Sequence, residues 1–396
     1  MKRIFGLNSA VMILLLLVFG GSDLRAAWGN YDTTFGFLGA AIDPVTSHYP
    51  VAVALQPDGK ILVTGYKSVN GYKKFFLRRY LSNGSLDTSF GNNGSAVPGA
   101  IVLTSADYSG TGIAVQDNGR IAVVGYGNGK RVVWRFYSNG SPDSSIGYGG
   151  MKTLSSYPYP GTIKDAIEAH GNNLIVSVSD SANKMVMVRI LSSGAIDANF
   201  GSGGEAATSF HISAYRVSTE PSTGDIIVAG TFNGGGSFGL MRWRENGDVD
   251  PSFQVDPQDT GVFITGDHIK QQNGNYLMRE KFWGYMNQLP SGAAFHEFRA
   301  NGQYNRRVSF EYFPYLSAVE PCPSVFAEQS DGRIVAGGVS KLYRFDADLN
   351  AASKQSSNCD SYASVANPTE AVLQPDDKML SAGRYNGSII LVRTLP

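Results

Sequence analysis

Short apolar runs separated by turn residues set the pattern of this chain. Val51 to Leu55 is followed by Pro57-Asp58-Gly59, then by the β-branched run Ile61 to Val63, and a third run, Phe75 to Leu81, closes on Asn83-Gly84. Two apolar runs around a Pro-Asp-Gly turn predict an antiparallel hairpin, and Asn-Gly supplies the positive φ of a second tight turn. The hairpin glycine recurs at Gly59, Gly119, Gly171, Gly224, Gly274 and Gly332, with Asp377 in the seventh place, at intervals of 60, 52, 53, 50, 58 and 45 residues. Self-similarity at such a period predicts an array of supersecondary units.

The third run carries its own signature. Arg79-Tyr80, Arg135-Phe136, Arg189-Ile190, Arg242-Trp243, Glu297-Phe298 and Arg344-Phe345 recur in order, and Arg393 opens a seventh copy. Asp87, Asp143, Asp197 and Asp250 each stand eight residues after their Arg. The end that the seventh copy lacks is found at the other terminus, where Asp32-Thr33-Thr34-Phe35-Gly36 matches Asp87-Thr88-Ser89-Phe90-Gly91. A repeat shared between both termini suits a closed ring, whereas an open solenoid needs capping repeats. The expected fold is therefore all-β: a seven-bladed β-propeller of four-stranded antiparallel blades, its ring closed by the N-terminal segment completing the last blade. Asp32 should then lie beside Arg393. A residue present in every blade is structural, so the Arg and Asp eight apart are read as a scaffold pair, with Phe90, Ile146, Phe200 and Phe253 plugging the spaces between blades.

Gln56-Pro57-Asp58-Gly59-Lys60-Ile61-Leu62-Val63 and Asn83-Gly84-Ser85-Leu86-Asp87-Thr88-Ser89-Phe90-Gly91 also resemble the delta-60 repeat, a β-propeller domain of largely unknown function found in bacterial secreted and surface proteins. The resemblance implies a propeller and brings no catalytic residues. Units five and six depart from its pattern.

A chain of 396 residues exceeds one ordinary core, and the repeat accounts for it. Met1-Lys2-Arg3 followed by an apolar run through Phe19 reads as a secretory signal over residues 1–27, with cleavage between 22 and 27; an uncleaved anchor is the alternative. Residues 28–396 then form a single propeller, read as an exported, periplasmic or extracellular monomer without a membrane span. Charge is balanced at 33 basic and 33 acidic residues, and removal of the leader leaves about −2. With no basic block to track phosphates, nucleic acid is excluded as a partner.

Cys322 and Cys359 are either a disulfide stapling the connections around unit six or two free thiols. No metal or cofactor is expected: His48, His170, His211, His268 and His296 show no zinc spacing, and Asp346-Ala347-Asp348-Leu349-Asn350 lacks the glycine and the closing glutamate of a calcium loop. Gly235-Gly236-Ser237-Phe238-Gly239 matches a hydrolase nucleophile elbow in letters only, because it falls in a hairpin rather than a strand-to-helix turn. Asn-Gly-Ser at 83, 93, 139 and 386 is read as turn chemistry.

Unit five breaks the repeat. Arg becomes Glu297, Asp becomes Asn305, and Phe-Gly becomes Val308-Ser309, in a region rich in aromatic residues and arginine. Trp283, Tyr285, His296, Tyr304, Arg306, Arg307, Tyr312 and Tyr315 are therefore the candidate binding residues, against the reading that most of them pack between blades. The leading expectation is a non-catalytic binding or scaffold protein for an extracellular protein or glycan. The alternative is a propeller hydrolase or lyase acting on an extracellular polymer through the central channel, with Asp165, Arg216, His268 and Glu370 as channel candidates.

Overall fold

The computed structural model describes residues 30–96, 98, 106–158, 166–179, 185–207, 212–232, 237–253, 255–256, 258–259, 268–281, 293–310, 326–337, 341–349, 355–358 and 367–396. They form seven four-stranded antiparallel sheets, each built in chain order from the innermost strand outwards, except the last. Blade 1, for example, consists of His48–Leu55, Ile61–Val69, Tyr72–Tyr80 and Ser95–Ala96. Blade 7 takes Asn367–Leu373, Met379–Tyr385 and Ser388–Thr394 from the C-terminus, and its outer strand, Ala40–Ile42, from the N-terminus. Ala40 pairs with Val392 and Ile42 with Ile390, so the ring closes by the strand exchange that the shared repeat predicts.

Each core lies between blades. Phe90, Leu77 and Leu62 of blade 1 are buried with Trp134, Ile121 and Val123 of blade 2, and Phe35 joins blade 7 to blade 1 in the same way. Successive side chains of a strand point to opposite faces, and both faces of every blade are covered by neighbours. This is why the second strands read as almost continuous apolar runs.

Because the strands alternate in direction, each blade has two kinds of end. One carries the hairpin after the innermost strand and the turn after the third strand, and here the scaffold pairs form a repeated latch. Arg79 Nε donates to Asp87 Oδ2 at 2.8 Å, Arg135 to Asp143 at 2.7 Å, Arg189 to Asp197 at 2.9 Å, Arg242 to Asp250 at 2.7 Å, and Arg393 to Asp32 at 2.8 Å. The other carboxylate oxygen caps its own turn, accepting the backbone N–H of Ser89, Ser145, Asn199, Ser252 or Thr34. The guanidinium continues into the next blade: Arg135 Nη2 donates to Ser192 O at 2.9 Å and Arg393 Nη1 to Ser82 O at 2.9 Å, while Arg79 reaches Ser138 O. Arg79, Arg189, Arg242 and Arg393 also lie over the rings of Phe90, Phe200, Phe253 and Phe35.

The latch makes the ring sensitive to acid. Burial acts to raise Asp32 and Asp250, but hydrogen bonds from Thr34 and Ser252 and the paired guanidinium outweigh it and bring both down to about 2. Asp87, Asp143 and Asp197 are lowered as well. Since these pKa values are depressed relative to the unfolded carboxylate at about 3.9, the stabilisation is complete above that value and lost as pH falls towards about 2. Urea midpoints should therefore be level from pH 6 to pH 5 and drop steeply from about pH 4 to about pH 2; a flat profile there would contradict the latch.

Candidate functional site

Blade 5, where the repeat breaks, is a remade latch. Its outer strand Tyr304–Phe310 pairs directly with Ala293–Phe298, Phe295 opposite Val308 and Glu297 opposite Arg306. Val308 thus lies opposite Phe295 as Ala96 lies opposite Leu77 in blade 1, and the Thr-Ser-Phe-Gly excursion of the repeat is missing, not replaced by Val308-Ser309. Glu297 sits at the arginine position and accepts Arg306 Nε at 2.7 Å, Asn305 Nδ2 at 2.8 Å and Asn275 Nδ2 at 3.0 Å. Arg306 Nη2 then donates to Asp348 O of blade 6 at 3.3 Å. The ion pair has exchanged its ends and still reaches the following blade.

Several binding candidates accordingly take up packing positions. His296 is fully buried, edge-on to Phe238 of blade 4 at 4.3 Å, which removes it from any recognition surface. Tyr304 is half-buried against Phe298. Arg306 is held by Glu297, and Arg307 is exposed. Trp283, Tyr285, Tyr312, Tyr315, Cys322, Cys359 and Asp165 lie outside the described residues, as do residues 1–29 and the side chains of Arg216 and Glu370. Among the described residues no helix is long and apolar enough to cross a membrane.

At the latch end, the innermost strands finish on a polar ring: Gln56, Gln116, His170, Glu220, Gln271, Gln329 and Gln374. Gln116 donates through Nε2 to Asn172 O of blade 3, so the ring is a second set of blade-to-blade links. Glu220 departs from it. Its carboxylate accepts Tyr276 Oη and Lys270 Nζ from blade 5 at close range. Burial and this carboxylate raise the Tyr276 phenol far above its ordinary value, the opposite of what a general base needs. His268, the channel candidate with a described side chain, is buried with Nε2 2.7 Å from Ser218 Oγ on the neighbouring innermost strand. Among the described residues no cluster of His, Cys, Asp and Glu could hold a metal ion.

The opposite end of blades 7, 1 and 2 carries an array that the repeat does not require. Innermost strands bulge there at one register, between Pro50 and Ala52, Gly110 and Gly112, and Pro368 and Glu370. Gly65 lies opposite the bulge, where a Cβ would stand 2.1 Å from Tyr49 O, so only glycine lets the second strand approach. Tyr49 precedes the bulge and Tyr66 follows the glycine, and their rings stack at 4.7 Å with an interplanar angle of 7°. Arg384 of blade 7 caps Tyr49 at 3.8 Å, and Lys73 lies 4.8 Å from Tyr66 and 6.0 Å from Tyr126 of blade 2. A cation, two tyrosines, a second cation and a third tyrosine thus run across three blades. Hydrogen bonding to Tyr126 raises the Lys73 ammonium, keeping it charged. At the hairpin tip Tyr72 is 40% exposed, with Lys74 Nζ 5.2 Å from its ring.

No signal in a single repeat marks this array. It appears only when Tyr49, Tyr66, Tyr126 and Arg384, far apart in sequence, are set at the same register of adjacent blades.

Three segments of the chain, residues 56–90, 116–145 and 222–253, match the model of the DUF5122 β-propeller, a domain of unknown function. That match is consistent with the delta-60 resemblance. No curated protein matches the chain. Similar solved structures include YCF48 bound to D1 peptide, at TM-score 0.53 and 13% identity, over 93% of this chain and 98% of that one. Hydrazine synthase from Kuenenia stuttgartiensis aligns at TM-score 0.58 and 11% identity over 89% of this chain and 98% of its own. The GH74 xyloglucanase from Xanthomonas campestris gives 0.52 and 13%, over 87% of this chain and 52% of that one, so this chain spans about half of the enzyme. At such identities the likeness shows the fold.

Proposed function

We propose that the protein is exported by its N-terminal leader and acts as a non-catalytic binding and scaffold ring for an extracellular partner, which it meets with the tyrosine–cation array of blades 7, 1 and 2. Solved propellers of this fold include both a peptide-bound protein and a xyloglucanase, so the weight rests on the site and not on the fold. The observation that carries the reading is the stack Arg384, Tyr49, Tyr66 and Lys73. Amphipathic rings and cations in alternation, on blade ends that need neither for closure, are the groups that dominate recognition surfaces.

The test is an array of glycans and envelope proteins probed with the protein and two variants, Tyr49→Ala/Tyr66→Ala and Trp283→Ala/Tyr285→Ala. A ligand lost in the first variant while its melting curve remains cooperative is the expected result. A ligand lost only in the second would move the surface to unit five. Turnover of an arrayed polymer that survives both pairs of substitutions would instead favour an enzyme.

A further inference from the structure

The array has a charge that the ring does not neutralise. Arg384 is stacked on Tyr49, and its Nε is buried with no hydrogen-bond acceptor among the described residues. Lys67, on the second strand of blade 1 beside Tyr66, and Lys130, at the hairpin of blade 2, make no ion pair among the described residues either. Of the described acids nearby, Asp43 is paired with Arg78 at 2.7 Å and accepts Tyr80 Oη, whereas Asp107 accepts the Lys73 backbone N–H at 2.8 Å and offsets part of the Lys73 charge, leaving Arg384 without a carboxylate. At the latch end the ring answers its repeated arginines with carboxylates. Here it stacks a guanidinium on a ring, with no carboxylate paired to it among the described residues.

We propose, on the basis of the binding function above, that this surface takes an anionic polysaccharide, whose carboxylates are paired by Arg384 and Lys73. A guanidinium held flat on an aromatic ring is preorganised for a carboxylate, because its rotamer is fixed before the ligand arrives. A glycan with a carboxylate on successive sugars presents anions and hydroxyls at regular intervals along one chain, matching the cations Arg384 of blade 7 and Lys73 of blade 1, which are set apart by the two stacked tyrosines. It also needs no apolar pocket. An acidic peptide would bring intervening side chains to bury, and the exposed large apolar residues described on this end of blade 1 are Val69 and Tyr72. The exposed Tyr72 ring, backed by Lys74, offers a platform for a sugar face.

Polygalacturonate, neutral dextran and poly-glutamate distinguish the sources when titrated against the full protein by calorimetry. The surface should bind polygalacturonate, and the affinity should fall about tenfold or more between about 50 mM and about 300 mM salt, as expected for several charge contacts. Arg384→Gln should weaken it about tenfold, the loss of one charge-assisted pair. Lys67→Glu, at a strand position that carries no latch, should weaken it further while leaving the melting temperature in place. Arg299→Gln, the same charge change at the latch end, should have no effect. Binding of polygalacturonate indifferent to salt and to both array variants would overturn the proposal. So would preference for poly-glutamate, which assigns the surface to an acidic peptide. If no anion binds but the arrays still give a ligand lost in Tyr49→Ala/Tyr66→Ala, the binding function stands and the anionic class falls.

Discussion

Replacing Arg135 with alanine should cost about 3–5 kcal/mol in the free energy of unfolding, because it strands a carboxylate in the ring's interior. Arg135 and Asp143 are both fully buried. Their 2.7 Å hydrogen bond is joined by Arg135 Nη2 to Ser145 Oγ at 2.7 Å and to Ser192 O of the next blade at 2.9 Å. Without the guanidinium, Asp143 keeps Ser145 and a more distant Arg120 at 3.3 Å, which is itself partly solvated. The same substitution at Arg242 should cost less. Its side chain is 20% exposed, and Arg244 stands 3.6 Å from the same Asp250 carboxylate as a substitute. Guanidinium unfolding of the two variants measures the order directly. Equal losses would mean that the latch is a surface ion pair repeated five times, worth at most about 1 kcal/mol each.

Blade 5 shows what was readable in the sequence and where reading stopped. Ring closure was legible because Asp32-Thr33-Thr34-Phe35-Gly36 repeats an internal phrase, and a phrase with a fixed partner carries its geometry with it. The Glu297 and Asn305 changes were visible too, but counting residues forward from Glu297 placed Val308 where Phe90 stands in blade 1. The register shows otherwise, since Arg306 takes over the pairing with the third strand as soon as the turn ends. Spacing alone cannot distinguish a substituted turn from a deleted one. The pairing Glu297 with Arg306, nine residues apart rather than eight, was the available clue: both partners reversed sign together, which an ion pair under structural demand would do. Arginine next to aromatics looked instead like a recognition patch. The tyrosine–cation array was illegible for a different reason. Its members occupy five strands in three blades, and the periodic trace they leave, Gly65-Tyr66, Gly125-Tyr126 and Gly383-Arg384, marks a shared register without showing which side chains meet there.

The space left by the missing Phe in blade 5 is filled from the other side of the junction, and this gives the second large expected effect. In blades 1 and 2 the plug is Phe90, and the turn glycine opposite it, Gly140, lies at φ 86°, where an added Cβ would be 2.9 Å from the Phe90 ring and 2.8 Å from Gly91 N. In blade 6 the same turn position holds Leu349. It is 2% exposed at φ 57° and packs with Leu277, Phe295, Phe326 and Phe345. A leucine in the left-handed region costs about 1–2 kcal/mol, so it persists only if its burial returns more. Leu349→Gly relieves that strain but opens a cavity with no phenylalanine to collapse into it, and a buried Leu truncation costs about 2–5 kcal/mol. The net expectation is a loss of about 2–3 kcal/mol, although glycine is the residue the backbone prefers. Gly140→Leu, the reverse change at the repeat's ordinary junction, must displace Phe90 as well as strain the turn, and should lose about 3 kcal/mol or more. Both values follow from urea unfolding of the two variants. A stabilised Leu349→Gly would show that strain, and not the plug, dominates the junction between blades 5 and 6.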